Sequence, residues 1–322
     1  MRDIITIGSA IRDVFLVSDQ FKILKTPKIK GGVAECVPLG SKIEIKTIVH
    51  TTGGGATNAA VTFSNLGYKT STICRIGDDD EGQSILNALK KYQIDTKLIK
   101  QIPKGTTGYS TLLTEPGGER SILVYRGVSS KFSENDIPWH KCLAKWFYLS
   151  SLGGNLNLSK KIVKYAAGCG AKIAWNPGGS EIDKGLKAFA PVLDDVAILL
   201  MNKEEAYKLT ETKNITAMLN RLSTPGNVVI ITDGSKGAYA RKDKETYFAA
   251  TTGKKSVSRA GAGDAFGSGF VASYMKDNDL TKALATGTLN AEGVIGSIGA
   301  KLGILTSWPT SAQIKKVKIK KI

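Results

Sequence analysis

A carboxylate at the start of a small-residue, apolar segment is the clearest candidate for chemistry in this sequence. Asp264 follows Gly261, Ala262 and Gly263, and residues 265–274 read as a buried helix. Such a turn allows close approach to a ligand and presents unpaired helix amides, which bind anions and phosphate above all. Because a carboxylate and a phosphate repel each other, the useful task for Asp264 is to take a proton from a hydroxyl that attacks phosphorus. The pattern predicts phosphoryl transfer, with the amides of Ala262, Gly263 and Asp264 holding the developing charge. The alternative is that Asp264 only caps a helix.

The rest of the chain reads as strands and helices that could position this turn. Apolar, β-branched runs predict strands at 3–9, 70–76, 146–150, 172–176, 196–201 and 228–232. Helical periodicity predicts helices at 80–92, 158–168, 203–209, 216–222 and 283–298. This alternation predicts an α/β fold with a mostly parallel sheet and helices on both faces. Residues 14–50 predict a few exposed strands, and 106–126 predict a hairpin about a turn at Pro116, Gly117 and Gly118.

Polar residues follow several of these strands, where α/β sheets bind ligands. Asp13 comes just after the first strand, and a glycine loop at 53–55 leads into a helix that carries Asn58. The loop lacks the sixth glycine of a dinucleotide fingerprint and the GK[ST] of a Walker loop. Taken alone, the N-x-x-E segment at 202–205 is a helix start, and the glycine-rich turn at 232–237 could be a hairpin.

Composition excludes several classes of protein. The 322 residues carry a formal net charge of +17, but the lysines are scattered except in a basic C-terminal tail at 311–322, so nucleic acid is not the expected partner. The four cysteines lie far apart and the two histidines share no ligand spacing with them. This pattern indicates neither a zinc site nor a disulfide framework, and it is typical of a cytoplasmic protein. Nothing in the sequence approaches a membrane span or a signal peptide.

Five landmarks stand in the order found in one family. GAGDAFGSGF at 261–270 closely resembles the second signature of the PfkB (ribokinase-like) carbohydrate kinases, and GGxxxNxA at 53–60 resembles the first. The Asp after the first strand, NxxE and TxGxxG complete the set. The resemblance implies one domain over 1–322, a three-layer α/β/α fold with a β lid at about 12–52 and 105–128, and ATP-dependent phosphorylation of a hydroxyl on a small sugar.

The resemblance also implies roles for particular residues. They are Asp264 as base; Gly261, Ala262 and Gly263 as the anion hole; Asp13, Gly54 and Asn58 as substrate contacts; Asn202, Thr232, Gly234, Gly237 and Asn290 as ATP contacts; and Glu205 acting on Mg²⁺ through water. Lid strands of the family often pair between subunits, which implies a possible homodimer.

Three features leave the acceptor and an ion open. Gly55 stands where sugar-specific ribokinases often have Lys, so nucleoside kinase remains an alternative. Arg126 could contact an anionic substrate, as in 2-keto-3-deoxygluconate kinases, or form a plain salt bridge. The family's Asp before GAGD, which helps hold a monovalent cation, is Ser258 here. We expect the guanidinium of Arg259 to replace that cation. A non-catalytic sensor or nucleic-acid-associated member is a further alternative, which the intact GAGD disfavours.

Overall fold

The structure is a computed structural model, and it describes residues 1–29, 31–115 and 120–322. Its strands are β1 (Arg2–Ile7), β2 (Ile11–Val17), β3 (Lys22–Lys25), β4 (Val33–Cys36), β5 (Thr47–Gly53), β6 (Thr70–Ile73), β7 (Arg75–Gly77), β8 (Lys100–Ile102), β9 (Gly108–Thr114), β10 (Arg120–Tyr125), β11 (Ala144–Leu149), β12 (Lys172–Trp175), β13 (Ile198–Asn202), β14 (Val228–Thr232), β15 (Ala238–Lys242), β16 (Glu245–Ala249) and β17 (Ile319–Lys321). Its helices are α1 (Gly55–Asn65), α2 (Asp80–Lys91), α3 (Leu156–Gly168), α4 (Gly179–Ile182), α5 (Leu186–Leu193), α6 (Lys203–Thr210), α7 (Ile215–Leu222), α8 (Ala262–Asp277), α9 (Leu280–Ile295) and α10 (Ser311–Lys316).

A nine-stranded sheet forms the centre of the fold, in the order β17-β16-β15-β14-β13-β12-β11-β1-β6. The six strands from β14 to β6 run parallel, and β15, β16 and β17 join antiparallel. Parallel strands are buried on both faces, which is why they read as continuous apolar runs in the sequence. The predicted α/β fold with a mostly parallel sheet is confirmed.

Successive residues of the central strands face opposite layers of helices. Ile5 of β1 packs in a core shared with α3, α5, α6 and α7, whereas its neighbour Ile4 packs in a core shared with α1, α8 and α9. This alternation follows from the two-residue period of a strand, and it gives the three layers. The layer with α1 and α8 is the one that brings the two glycine-rich signatures together.

A second sheet lies beside the first, in the order β10-β9-β2-β5. Its strands span 11–53 and 108–125, close to the two segments predicted to form a lid. We refer to these four strands as the lid. The turn predicted at Pro116, Gly117 and Gly118 lies outside the described residues. Strand β10 is an edge, and Ile122, Leu123, Val124 and Tyr125 on it are exposed.

Local structure departs from the sequence prediction at three places. The strand predicted at 70–76 divides at Cys74 into β6 and β7, and β7 pairs with β8 outside the main sheet. Helices α4 and α5 lie in a segment for which the sequence pattern predicts none. The basic C-terminal tail is built into the fold as α10 and β17, with Lys321 paired to Glu245 at 2.6 Å. Among the described residues, no helix has both the length and the apolar character to cross a bilayer.

Candidate active site

The turn before Asp264 opens helix α8. Gly261 caps the helix with a φ of 77°, and a Cβ there would lie 2.5 Å from the Cβ of Ala300, so only glycine fits. The N–H of Ala262 already donates to the Arg259 carbonyl at 3.3 Å. Gly263 and Asp264 lie in the first turn, where a helix has no acceptor of its own for the N–H groups. Of the predicted anion hole, the amides of Gly263 and Asp264 are therefore the ones best placed to meet an anion.

The carboxylate of Asp264 is held on one side and open on the other. Its Oδ2 accepts a hydrogen bond from Asn58 Nδ2 at 2.8 Å. Its Oδ1 faces Gly55, where an added Cβ would lie 3.5 Å away. Burial raises the pKa of Asp264, while the Asn58 hydrogen bond and the charge of Lys301 oppose that rise. A carboxylate with a raised pKa is a stronger proton acceptor, which is what a general base needs.

Lys301 lies behind this pair and is a residue that the sequence pattern did not single out. It is buried, and its Nζ contacts the Thr52 carbonyl at 2.6 Å, Asn58 Oδ1 at 2.7 Å and Thr57 Oγ1 at 3.0 Å. Burial lowers the pKa of Lys301 to about 7, against the opposing charges of Asp13 and Asp264. The sequence gives no signal that Lys301 is buried, because it is one of many lysines in a basic chain.

Asp13 reaches the same cluster from the lid. It lies on β2 between Thr51 of β5 and Ser110 of β9, and its carboxylate accepts a hydrogen bond from Ser110. Its Oδ2 packs so closely on Gly53 that a Cβ there would collide with it. Burial raises the pKa of Asp13 to about 6, and the nearby Asp264 adds to the rise, whereas Lys301 lowers it.

A cavity of about 280 Å³ opens beside Asp264 at the carboxyl ends of the central strands. Ser9, Ser150 and Asn176 contribute to its wall, although the sequence pattern gave them no role. Gly55 forms part of it as well, and a Cβ at that position would lie 2.8 Å from both Cβ and Oγ of Ser150. The predicted residues that line this cavity are Asp264, Gly263, Asn202, Glu205 and Thr232.

A second cavity, of about 820 Å³, adjoins the first through Asn202 and Thr232, which line both. Four cationic side chains line it, together with three acidic ones: Lys203, Lys236, Lys254 and Arg259, and Glu204, Asp233 and Glu292. Helix α9 contributes the apolar Ala291 and Ile295, and α8 contributes Phe266. Its volume is in the range of pockets for drug-sized ligands, and its lining suits a molecule with a flat apolar end and an anionic end. The predicted Gly234 and Gly237 also line it.

Glu205 caps a helix and also lines the smaller cavity. Its Oε2 accepts from the Asn202 N–H at 2.9 Å while Asn202 Oδ1 accepts from the Glu205 N–H at 2.9 Å, which is a capping box for α6. Burial raises the pKa of Glu205. Within the described residues no group of three or more His, Cys, Asp or Glu forms a metal cage. One carboxylate at the wall of the smaller cavity suits Mg²⁺, which keeps several waters and binds substrate phosphates.

Five predicted contacts line neither cavity, and Asp13, described above, is one of them. Asn290 is fully buried: its Nδ2 donates to the Ala265 carbonyl at 2.7 Å, and its Oδ1 accepts from the Leu305 N–H at 2.9 Å. It packs α9 on α8, while Ala291 and Glu292 of the same helix face the larger cavity. Arg126 is exposed at the end of the lid. Gly54, with a φ of 99°, starts α1, and Asn58 lies behind Asp264.

Comparison with known proteins agrees with this architecture. The family model for pfkB family carbohydrate kinases matches residues 1–307. An uncharacterized sugar kinase of Archaeoglobus fulgidus is 26% identical over 249 residues, which cover 75% of this chain and 97% of that protein. The ribokinase of Haemophilus influenzae is 26% identical over 271 residues, covering 80% and 85%. The crystal structure of the Methanocaldococcus jannaschii nucleoside kinase superposes with a TM-score of 0.76 at 19% identity, covering 98% of each chain, and shares the fold. Since the family match spans nearly the whole sequence, the chain belongs to the pfkB family of carbohydrate kinases, phosphotransferases that act on hydroxyl groups.

Proposed function

We propose that this protein transfers a phosphoryl group from ATP to a hydroxyl of a small sugar. One observation carries the proposal: Asp264 stands at the first turn of a helix with one carboxylate oxygen held by Asn58 and the other facing the cavity. A base, an amide cradle and a pocket for the reacting groups then lie at one place, which is the arrangement that phosphoryl transfer needs.

In this mechanism Asp264 Oδ1 takes the proton of the acceptor hydroxyl as its oxygen attacks phosphorus. The amides of Gly263 and Asp264 hold the charge that develops on the phosphoryl oxygens. ATP would supply the phosphoryl group when bound and leave as ADP when the bond to that group breaks. Glu205 would hold Mg²⁺ through water, and the ion would offset phosphate charge. The lid covers the acceptor and limits attack by water.

Charge and shape support the placement of ATP in the larger cavity. Lys203 is paired with Asp233 at 2.7 Å, whereas Lys254 and Arg259 are exposed at the cavity wall and able to meet phosphate oxygens. The adenine would pack near Ala291 and Ile295. We assign the adenine contact to Ala291 and Ile295 and not to Asn290, because the side-chain amide of Asn290 already forms hydrogen bonds with Ala265 and Leu305.

The acceptor itself is best found by a panel. We would assay ADP release with ribose, fructose, adenosine, cytidine and 2-keto-3-deoxygluconate under one buffer condition. A preference for ribose or fructose supports the sugar kinase proposal. A preference for adenosine or cytidine favours a nucleoside kinase, the alternative that Gly55 leaves open in the sequence. A preference for the acid sugar would assign Arg126 a role in binding its carboxylate. Salt-sensitive binding of DNA or RNA with no activity on any acceptor would refute a kinase function.

We further propose a cytoplasmic enzyme that dimerises through the lid. All four cysteines are free, as expected for a reducing compartment. Among the described strands, β10 stands at the end of its sheet with exposed aliphatic side chains at 122–124, which a second copy could cover. Sedimentation of the wild type and of Leu123→Asp tests the dimer: we expect a dimer that the substitution converts to a monomer. A monomeric wild type would refute it.

A further inference from the structure

We propose that Lys301 is a positioning residue, a built-in cation that fixes the amide of Asn58 and thereby keeps Asp264 oriented and ionised for proton removal. The inference rests on the proposed role of Asp264 as base. It concerns a residue that contacts neither cavity directly and acts through its neighbours. Lys301 enters the site from the segment after α9, 37 positions after the base in the sequence.

The contacts of Lys301 require a full ammonium. The Thr52 carbonyl and Asn58 Oδ1 can only accept hydrogen bonds from it. The third partner, Thr57 Oγ1, already donates its own proton to the Gly53 carbonyl at 2.7 Å, so towards Lys301 it must accept. Three acceptors around one nitrogen need three N–H donors, and a neutral amine has only two. The geometry therefore favours the charged form in spite of the burial.

This ammonium decides which way the Asn58 amide points. An ammonium has no acceptor site, so the Asn58 oxygen must face it and the Asn58 NH₂ must face Asp264 Oδ2. A reversed amide would place N–H groups against the ammonium and an oxygen against the carboxylate, and both contacts would be repulsive. The relay of Lys301, Asn58 and Asp264 leaves Asp264 Oδ1 as the oxygen that is free to take the proton.

Two carboxylates and one thiol, from different parts of the fold, face Lys301. Asp13 approaches from β2, Asp264 from α8, and the buried thiol of Cys74 from the end of β6. Burial lowers the pKa of Lys301 to about 7, and both carboxylates oppose that change. The cation in turn holds the pKa values of Asp13 and Asp264 below what burial alone would give. Removing it would leave two buried carboxylates without their shared counter-charge.

A merely structural lysine and a positioning lysine predict different pH behaviour. If Lys301 only fills space, its replacement lowers the amount of active enzyme by the same factor at every pH. If it keeps Asp264 ionised, its replacement raises the pH at which the base loses its proton. The loss is then large at low pH and shrinks as the pH rises.

The experiment compares the pH profiles of kcat for the wild type, Lys301→Met and Lys164→Met. Methionine keeps the length of the side chain without the charge, and the exposed Lys164, paired with Asp195 far from the site, is the matched control. We expect Lys301→Met to move the acidic limb of kcat upward by at least about one pH unit, the smallest effect typical of losing a nearby opposite charge. Lys164→Met should leave it in place. A Lys301→Met profile parallel to the wild type overturns the proposal.

A stability cycle tests the coupling without catalysis. Thermal midpoints are measured at pH 6.5, below the pKa of about 7 that burial gives Lys301, for Lys301→Met, Asp264→Asn and the double variant. We expect Lys301→Met to lower the midpoint less in the Asp264→Asn background than in the wild type, and an equal loss in both backgrounds overturns the proposal. If Lys301→Met folds only together with Asp264→Asn, the coupling is supported; failure to fold in both backgrounds overturns it. Should Asp264→Asn keep full turnover, the proposed base is wrong, and the cycle still reports on the ion cluster.

Discussion

Replacing the base tests the chemistry most directly. Asp264→Asn preserves the size of the side chain, and its amide oxygen can still accept from Asn58 Nδ2. The nitrogen would then face Gly55 and the cavity, in the position of the oxygen that takes the proton. The variant should therefore bind its ligands and lose general-base catalysis.

The size of the loss follows from what remains. General-base catalysis contributes about 10²- to 10⁴-fold, and the amides of Gly263 and residue 264 and both cavities stay in place. We expect kcat to fall by at least about a hundredfold, or about 2.7 kcal/mol of transition-state stabilisation, with little change in KM. The assay is steady-state ADP release, with acceptor and nucleotide affinities measured by calorimetry.

The loss of activity in Asp264→Asn must not result from unfolding of the variant. The direction of the pKa shift of Asp264 predicts that the variant stays folded. Because burial raises the pKa of Asp264, the folded protein holds the carboxyl proton of Asp264 more tightly than the unfolded chain does. The free energy of unfolding therefore falls as the pH rises from the pKa of Asp264 in the unfolded chain to its pKa in the folded protein. Asp264→Asn lacks this penalty and should melt no lower than the wild type above neutral pH. The matched control is Asp80→Asn, an exposed carboxylate in the first turn of α2, which should keep full activity. Near wild-type turnover in Asp264→Asn would remove this carboxylate from the mechanism.

Three further predictions concern the surroundings of the base. Arg259 is exposed at the wall of the larger cavity, and activity should be unchanged by potassium at fixed ionic strength; a severalfold rise would show that its guanidinium does not replace a monovalent cation. Gly55→Ala would bring a Cβ within 2.8 Å of Ser150, and we expect it to lower kcat/KM by about tenfold or more. The Gly55→Ala, Ser150→Gly double variant should recover part of that loss. A Gly55→Ala variant with unchanged kcat/KM would contradict the close approach of Gly55 and Ser150. The pKa of Asp13 is raised to about 6, and its ionised form accepts hydrogen bonds from substrate hydroxyls more strongly than the neutral acid does, so the acceptor KM should rise below about pH 6. Asp13→Asn should have a high KM that no longer varies with pH, and a KM that still varied would assign the pH dependence to another group.

Residues whose role is local could be predicted from the sequence. The glycine at 261 ends a turn and the carboxylate three positions on lies in the first turn of α8, because both features depend on a few adjacent residues. Strand β14 has the predicted bounds, and α3 and α6 have their predicted cores, since apolar period and helix caps are local signals. Asn202 and Glu205 read correctly as a helix start for the same reason.

Residues whose role depends on distant packing could not be predicted. Asn290 lies where a sequence position suggested a nucleotide contact, but the helix rotation turns its amide into the interface with α8. Ser150 becomes a wall of the site only because β11 is placed next to β1, with its end facing the start of α1. Strand order and helix rotation set these contacts, and neither can be obtained from the period of one segment.

Lys301 shows the same limit in the charge pattern. A lysine between Ala300 and Leu302 in a chain with net charge +17 predicts a solvated side chain, because burying an ammonium costs several kcal/mol unless acceptors and opposite charges meet it. Those acceptors come from β5 and α1, and the opposite charges come from β2 and α8. Only the assembled fold brings together the groups that offset the free-energy cost of burying this lysine. The ammonium of Lys301 lies where it can stabilise the ionised forms of two buried carboxylates, Asp13 and Asp264, and the pH profile of Lys301→Met measures that stabilisation for Asp264.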